Sequence, residues 1–160
     1  MPGTERMWAD EVTATGTTQL YPLGTERIVN HTTYGLGVWR YVQVDAASAA
    51  LAQGSCACQK AATADPYTVV ASPANADPSR VRGVADHALA AGSYGWVIKH
   101  GRCELLSNGT TTADNAQIPS GTVGQWTNTG GVTAASNAWA YETESPAGAG
   151  NLAGGYISAP

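Results

Sequence analysis

The sequence contains no phenylalanine and only two methionines, and charged residues make up 12% of its 160 residues. This charged fraction is about half of the usual quarter, and the helix formers Lys, Glu and Met are scarce. Gly and Pro are frequent, and Thr, Val, Tyr and Trp are well represented. Because β-branched and aromatic residues favour strands and Gly and Pro favour turns, we expect an all-β protein, although the abundant Ala favours helix.

Three further absences limit the partners and the location. The net charge is −4 and the eight Lys and Arg residues form no run, so the sequence lacks the basic stripe that displaces counterions from nucleic acid. No apolar run approaches the length of a membrane span. The first residues, MPGTERMWADEV, are charged and contain no apolar segment like that of a signal peptide. We expect no nucleic-acid partner, no membrane association, and synthesis in a reducing cytoplasm.

The sequence has only three cysteines, and an odd number argues against a disulfide framework. A chain of this length buries about 70% of its unfolded surface and needs no such support. Cys56 and Cys58 are spaced too closely for the usual zinc knuckle, although with Cys103 and either His87 or His100 they could hold a metal. The preferred interpretation is that they are small, partly buried residues on a strand. We therefore expect no metal and no cofactor.

No recognisable catalytic motif is present. Asp86 and His87 could join a serine in a small hydrolase, but the sequence has no GxSxG elbow, and an exposed loop histidine beside an aspartate is the preferred interpretation. Paired carboxylates could act in glycoside hydrolysis, and single ones could bind calcium, yet sparse acidic residues are usually just solvated. These candidates are Asp10 with Glu11, Glu142 with Glu144, and the isolated Asp65 and Asp77. We expect no catalytic residues and no enzyme.

The middle of the chain predicts strands joined by turns. In residues 38–44 valines alternate with aromatic residues, so the valine face is expected to enter the core and the face of Trp39 and Tyr41 to pack on a second layer or a partner. Residues 81–101 predict two strands, and residues 45–52 are the only strong helix-like run, with a loop as the alternative. Further strands are expected at residues 27–29, 55–62 and 67–71, a loop at 72–80, and a final edge strand at 155–158.

The first 20 residues predict an arm that precedes a single β domain at residues 21–160. Apolar residues are sparse in this arm, and its few large ones could dock on the domain itself or on a neighbour. The expected partner-interface residues are Met7, Trp8, Val12, Tyr21 and Leu23.

Tryptophan and tyrosine supply all the aromatic residues, five and seven in number. Trp39 and Trp96 lie in strong strand patterns and are expected in the core or an interface. Trp8, Trp126 and Trp139 lie among polar or small residues and are expected to be exposed, where they could bind carbohydrate or anchor an interface.

Several short phrases between residues 20 and 105 follow one another in a fixed order. They are YPLGT at 21–25, GVWRYVQ at 37–43, a small-residue stretch ending near Gly54, RGVA at 82–85, AGSYGWV at 91–97, and Gly101. This order resembles that of the small capsid decoration, or cement, proteins of tailed bacteriophages. Residues 106–160 share only a Thr-, Gly- and Ala-rich composition with that family, and the three cysteines lie outside the pattern.

The resemblance implies a compact domain of β-barrel or β-tulip type with an extended N-terminal arm and a Gly/Ala-rich C-terminal segment. It implies a homotrimer on the outer surface of the virion, made in the host cytoplasm, that clamps neighbouring copies of the major capsid protein. The family has no catalytic residues to transfer to this chain. The alternative function is a phage fibre or tail adhesin, or a carbohydrate-binding β module that uses exposed Trp.

Overall fold

The computed structural model describes residues 12–61, 65–74, 76–109, 116–128, 139–142 and 148–160, with residues 78, 116, 128 and 139–142 described by their backbone alone. This part of the chain is all-β, as the composition predicts. The strands are β1 Glu26–His31, β2 Gly35–Val44, β3 Cys56–Gln59, β4 Thr68–Ala71, β5 Val81–Ala85, β6 Tyr94–Leu106, β7 Ala116–Pro119, β8 Trp126–Asn128, β9 Trp139–Glu142 and β10 Leu152–Ser158, with a short 3-10 turn at Pro78–Arg80.

Five of these strands form a barrel-like ring. The sheet order is β1-β2-β4-β3-β5-β6-β10-β9-β7-β8, and a further pairing between β2 and β6 closes the ring β2-β4-β3-β5-β6. The pairing of β2 with β4 is parallel, and the other pairings of the ring are antiparallel. The expected edge strand at 155–158 is instead an inner strand, because β10 lies between β6 and β9.

A β-bulge at Lys99 reverses the faces of β6. Val38 lies opposite His100 while Trp39 lies opposite Ile98, so Lys99 is the extra residue. Because side chains alternate along a strand, one extra residue exchanges the inner and outer faces beyond it. Ile98 and Cys103, which simple alternation places on opposite faces, therefore belong to the same core cluster.

Both faces of β2 are buried over Trp39–Val42. Trp39 and Tyr41 belong to the larger core cluster, and Val42 and Val44 belong to a smaller one with residues from the other strands of the ring. The expectation that the valine face enters the core is confirmed for Val42 and Val44. The aromatic face packs on a second layer of its own chain.

The helix expected at residues 45–52 is wrong, and the loop alternative is correct. This segment forms turns, in which the Asp45 side chain accepts a hydrogen bond from the Ala47 amide, and ends in a bridge between Leu51 and Leu89. Leu51 is the one fully buried large side chain of the run. Alanine propensity over eight residues does not offset the cost of helix nucleation without an apolar face to pack.

Candidate functional site: an aromatic pocket and an open sheet edge

Four aromatic side chains form what we call the aromatic floor: Tyr21, Tyr41, Tyr94 and Trp96. Tyr41 lies opposite Trp96 in the pairing of β2 with β6, and their ring centroids are 5.1 Å apart. Tyr21 approaches Tyr41 edge-on at 5.3 Å, and Tyr94 stacks on Tyr41 at 6.2 Å. Aromatic pairs in these geometries contribute about 0.5–1.5 kcal/mol each beyond their buried area, so the floor is a rigid surface.

Residues 16–20 form an arch above this floor. Gly16 exchanges two backbone hydrogen bonds with Tyr94, of 3.2 and 2.8 Å, and the Leu20 amide donates to the Tyr41 hydroxyl at 3.2 Å. A pocket of about 520 Å³ lies between the arch and the floor, lined by the four aromatic side chains, by residues 14–18 and by Leu20. Its volume lies within the range of about 300–1,000 Å³ typical of small-molecule sites.

Three of the five predicted interface residues, Val12, Tyr21 and Leu23, pack against the core of their own chain. Val12 is fully buried in the larger core cluster, and Tyr21 and Leu23 are half-buried and pack against that cluster. Val12 thus has no surface for a partner, which corrects its assignment to an interface, because a fully apolar side chain gains most where the domain's own core covers it. Met7 and Trp8 lie outside the described residues.

Among the described residues, no strand pairs with the outer edge of β1. β1 pairs with β2 in a regular antiparallel register and is the first strand of the sheet order. β1 contains no proline and no bulge, two of the features that protect natural edges, and its two charged residues, Glu26 and Arg27, lie at its start. Ile28 and Leu36 are 73% and 70% exposed, and with the half-buried Val38 they form an apolar patch that we call the β1–β2 patch.

Glu26 of β1 forms ion pairs with Arg40 of β2 and Lys99 of β6. The Glu26 Oε1 atom accepts hydrogen bonds from Arg40 Nη2 at 2.8 Å and from Lys99 Nζ at 2.9 Å. Arg40 is buried, so its guanidinium depends on this carboxylate. Burial alone raises the pKa of Glu26, but the hydrogen bonds from Lys99 and Arg40 outweigh burial and hold this pKa below its ordinary value.

Replacing Glu26 with Gln should make the protein less stable and less sensitive to acid. A carboxyl group whose pKa is lowered by folding stabilises the fold above its unfolded pKa of about 4.3, and this contribution is lost as the pH falls through the folded pKa. The Glu26 side chain is 39% exposed, so solvent screens part of this contribution. We therefore expect Glu26→Gln to cost about 1 kcal/mol or less at neutral pH and little in acid. Urea unfolding at both pH values measures this difference, and an equal loss at both would contradict the charge assignment.

The structure gathers arginines that are distant in sequence. Arg82 Nη2 donates to Gln59 Oε1 at 2.7 Å, and Arg80 Nη2 donates to the Lys60 carbonyl at 2.6 Å. Burial and then the charge of Arg40 lower the pKa of Arg82. The sequence shows only scattered basic residues, and no periodic signal links position 40 to positions 80 and 82. These guanidinium groups tie strand ends and the 3-10 turn together.

Asp86 and His87 are more buried than the expected exposed loop pair. Asp86 is 9% exposed, and its Oδ2 atom lies 4.0 Å from His87 Nδ1. Burial, followed by the charge of Asp86, raises the pKa of Tyr34. Neither ring nitrogen of His87 has a hydrogen-bond partner among the described residues, so no described serine is placed to use His87 as a base.

The serine–histidine contact that the structure does describe lies elsewhere, on the outer face of β6 and β10. His100 Nδ1 is 3.2 Å from Ser158 Oγ, and His100 Nε2 contacts the Tyr156 hydroxyl. His100 and Ser158 are directly opposite in the pairing of the two strands. The contact is therefore a cross-strand pair on the sheet surface.

All three cysteines are free and buried. The Sγ atoms of Cys56 and Cys58 are 3.7 Å apart on β3, and burial raises the pKa of the Cys56 and Cys103 thiols. This confirms their interpretation as small buried residues. Among the described residues, no three His, Cys, Asp or Glu side chains are close enough to bind one metal ion.

The structure buries one tryptophan that the sequence analysis expected to be exposed. Trp39 and Trp96 are buried, as expected for core residues. Trp126, expected to be exposed, is 1% exposed, and its indole Nε1 donates to the Gly54 carbonyl at 3.1 Å. Trp8 and the Trp139 side chain lie outside the described part of the chain. The half-exposed aromatic residues beside the pocket are tyrosines, which the tryptophan argument overlooked.

No protein-family model matches the chain, and no curated protein matches it. The resemblance to capsid decoration proteins therefore rests on the phrases quoted from the sequence. Within the described residues, no helix combines the length and apolar character that crossing a membrane requires.

Proposed function

We propose that this protein is a structural virion protein, a capsid decoration subunit that binds the outer surface of the major capsid protein shell and stabilises the head. The order of the sequence phrases supports this proposal, and so does the all-β fold. The observation that carries it is the open edge of β1 beside the β1–β2 patch. A clamp protein needs backbone hydrogen-bonding groups and apolar anchors on one accessible surface.

The edge of β1 suits binding by strand addition. An extended segment of the major capsid protein would add to the edge through main-chain hydrogen bonds, while pockets between side chains supply specificity. A groove of about 300 Å³, lined by Glu26, Arg27, Ile28 and Val38, lies beside this edge and could accept a side chain of that segment. Ile28 and Leu36 would lose water-exposed apolar area on docking, at about 25 cal/mol per Å².

A homotrimer would multiply these contacts. Each subunit of a trimer carries one β1 edge, so three modest contacts act together with a high effective concentration once the first has formed. The proposal therefore places the protein as a homotrimer on the outside of the virion, without a nucleic-acid or membrane partner.

Replacing Ile28 with Glu should reduce capsid occupancy and leave the isolated domain stable. Ile28 is exposed, so the substitution removes little buried area, whereas a charge placed in the contact must lose its water on docking. Occupancy is measured by adding the protein to expanded, undecorated capsids assembled from a candidate major capsid protein. We expect occupancy to fall at least about tenfold at subsaturating protein.

The matched control is Val123→Glu. Val123 is, like Ile28, an exposed β-branched residue, and it lies in the turn before β8. This control should bind like the parent protein. Equal occupancy of the Ile28→Glu protein and its parent would remove β1 from the interface. Failure of the parent protein to bind would overturn the decoration function itself.

A further inference from the structure

We propose that the pocket beneath the arch binds a neutral saccharide. This site is separate from the capsid contact and goes beyond it. It also differs from a carbohydrate site built on exposed tryptophan, because the accessible rings of the pocket are those of Tyr21 and Tyr94, which are half-buried, while Trp96 lies buried beneath.

The chemistry of the lining selects an uncharged ligand. Every residue that lines the pocket is an alanine, glycine, threonine, leucine, tyrosine or tryptophan. An ionic ligand would lose its hydration without gaining a counter-charge, and that loss is costly. The guanidinium of Arg27 lies 4.9 Å above the Tyr21 ring, but Arg27 does not line the pocket.

The same lining offers both kinds of contact that a sugar ring needs. The C–H face of a pyranose is apolar and packs on an aromatic ring, and its hydroxyl groups both donate and accept hydrogen bonds. Opposite the floor, the pocket is lined by Thr17 and Thr18 of the arch and by Thr15 just before it, and each of these residues carries a hydroxyl group. Tyr41 already accepts the Leu20 amide proton on its hydroxyl oxygen, so it keeps its own proton for donation.

The arch also gives the pocket a fixed shape. Gly16 is held to Tyr94 at one end and Leu20 is held to Tyr41 at the other, so the intervening threonines stand over the floor before a ligand arrives. A preformed site avoids part of the ordering cost of binding.

The test is isothermal titration of the full-length protein with the methyl glycosides of glucose, galactose, mannose and N-acetylglucosamine and with their disaccharides. Thr17→Trp places a large ring in the pocket from an exposed position of the arch, and Thr32→Trp places the same ring on the exposed β1–β2 turn. Circular dichroism and thermal melting verify that both variants fold.

We expect the parent protein and Thr32→Trp to bind at least one of these sugars, and Thr17→Trp to bind it at least about tenfold more weakly. Saccharide binding that survives Thr17→Trp would place the site elsewhere and overturn the proposal. Absence of binding to the whole panel would also overturn it. None of these outcomes depends on capsid binding, so the two proposals fail independently.

Discussion

Replacing Gly54 with alanine is expected to destabilise the domain by about 4 kcal/mol or more, an exceptional loss for one methyl group. Gly54 has a φ of +76°, and an added Cβ would lie 2.7 Å from the Leu106 amide nitrogen and 3.2 Å from the Leu105 carbonyl carbon. Backbone atoms of β6 cannot move aside as a flexible side chain can. The Gly54 amide also donates to the Ala85 carbonyl, and the Gly54 carbonyl accepts the Trp126 indole proton.

Gly35→Ala is the matched control for Gly54→Ala. Gly35 has a similar φ of +73°, but nothing lies within 4 Å of its added Cβ. The control therefore carries only the strain of the left-handed conformation, about 1–2 kcal/mol. Urea unfolding of the two variants separates strain from collision. If the two variants lost the same free energy of unfolding, the chain around Gly54 would have relaxed to accept the added methyl group. The close contact of Gly54 with the backbone of β6 would then not be rigid.

Replacing Trp96 with alanine is expected to cost about 3–5 kcal/mol, a large part of a typical total stability of about 5–15 kcal/mol. The Trp96 ring is buried and contacts both Tyr21 and Tyr41. Its removal leaves a cavity below the aromatic floor that the ring of paired strands cannot fill by collapsing. The melting temperature and the urea midpoint should both fall.

Tyr156→Ala is the comparison for Trp96→Ala, because Tyr156 is a half-exposed aromatic residue on the outer face of β10. Tyr156→Ala should lower the free energy of unfolding by well under half as much as Trp96→Ala, because removing the Tyr156 ring loses mostly contacts at the surface. An unchanged melting temperature in Trp96→Ala would mean that Trp96 is not a core residue, and that the pairing of β2 with β6 is misplaced there.

Local pattern was sufficient to predict where most strands lie. The alternation at residues 38–44 falls within β2, and residues 81–101 contain β5 and most of β6, joined by turns. The same reasoning failed at residues 45–52. There the helix propensity of alanine was too weak to form a helix, because the segment has no apolar face to pack on the domain. It also failed to predict the bulge at Lys99, because a bulge depends on the register with β2 and leaves no mark in the alternation of β6 alone.

The candidate site was harder to predict because its parts come from distant segments. Gly16 meets Tyr94 across 78 residues of sequence, and the Trp126 indole finds its acceptor at Gly54, 72 residues away. The polar residues around Trp126 suggested exposure, but the loop before β3 covers the ring. Tyr21 and Leu23 were predicted as partner-interface residues, and in the structure they are half-buried against the core of their own chain. Whether such residues face a partner or the core depends on contacts that only the folded chain shows.

The central place of β2 in the ring has a consequence for how the chain reaches its native state. β2 is bordered by β1, β4 and β6, which come from residues 26–31, 68–71 and 94–106. Only the hairpin with β1 can form locally, and the ring closes only after β6 has been made and has returned to β2. Such non-local pairing is entropically slow, with folding times of about milliseconds to seconds. Until β6 has paired, the edge of β2 that carries Tyr41, Val42 and Gln43 lacks its antiparallel partner strand.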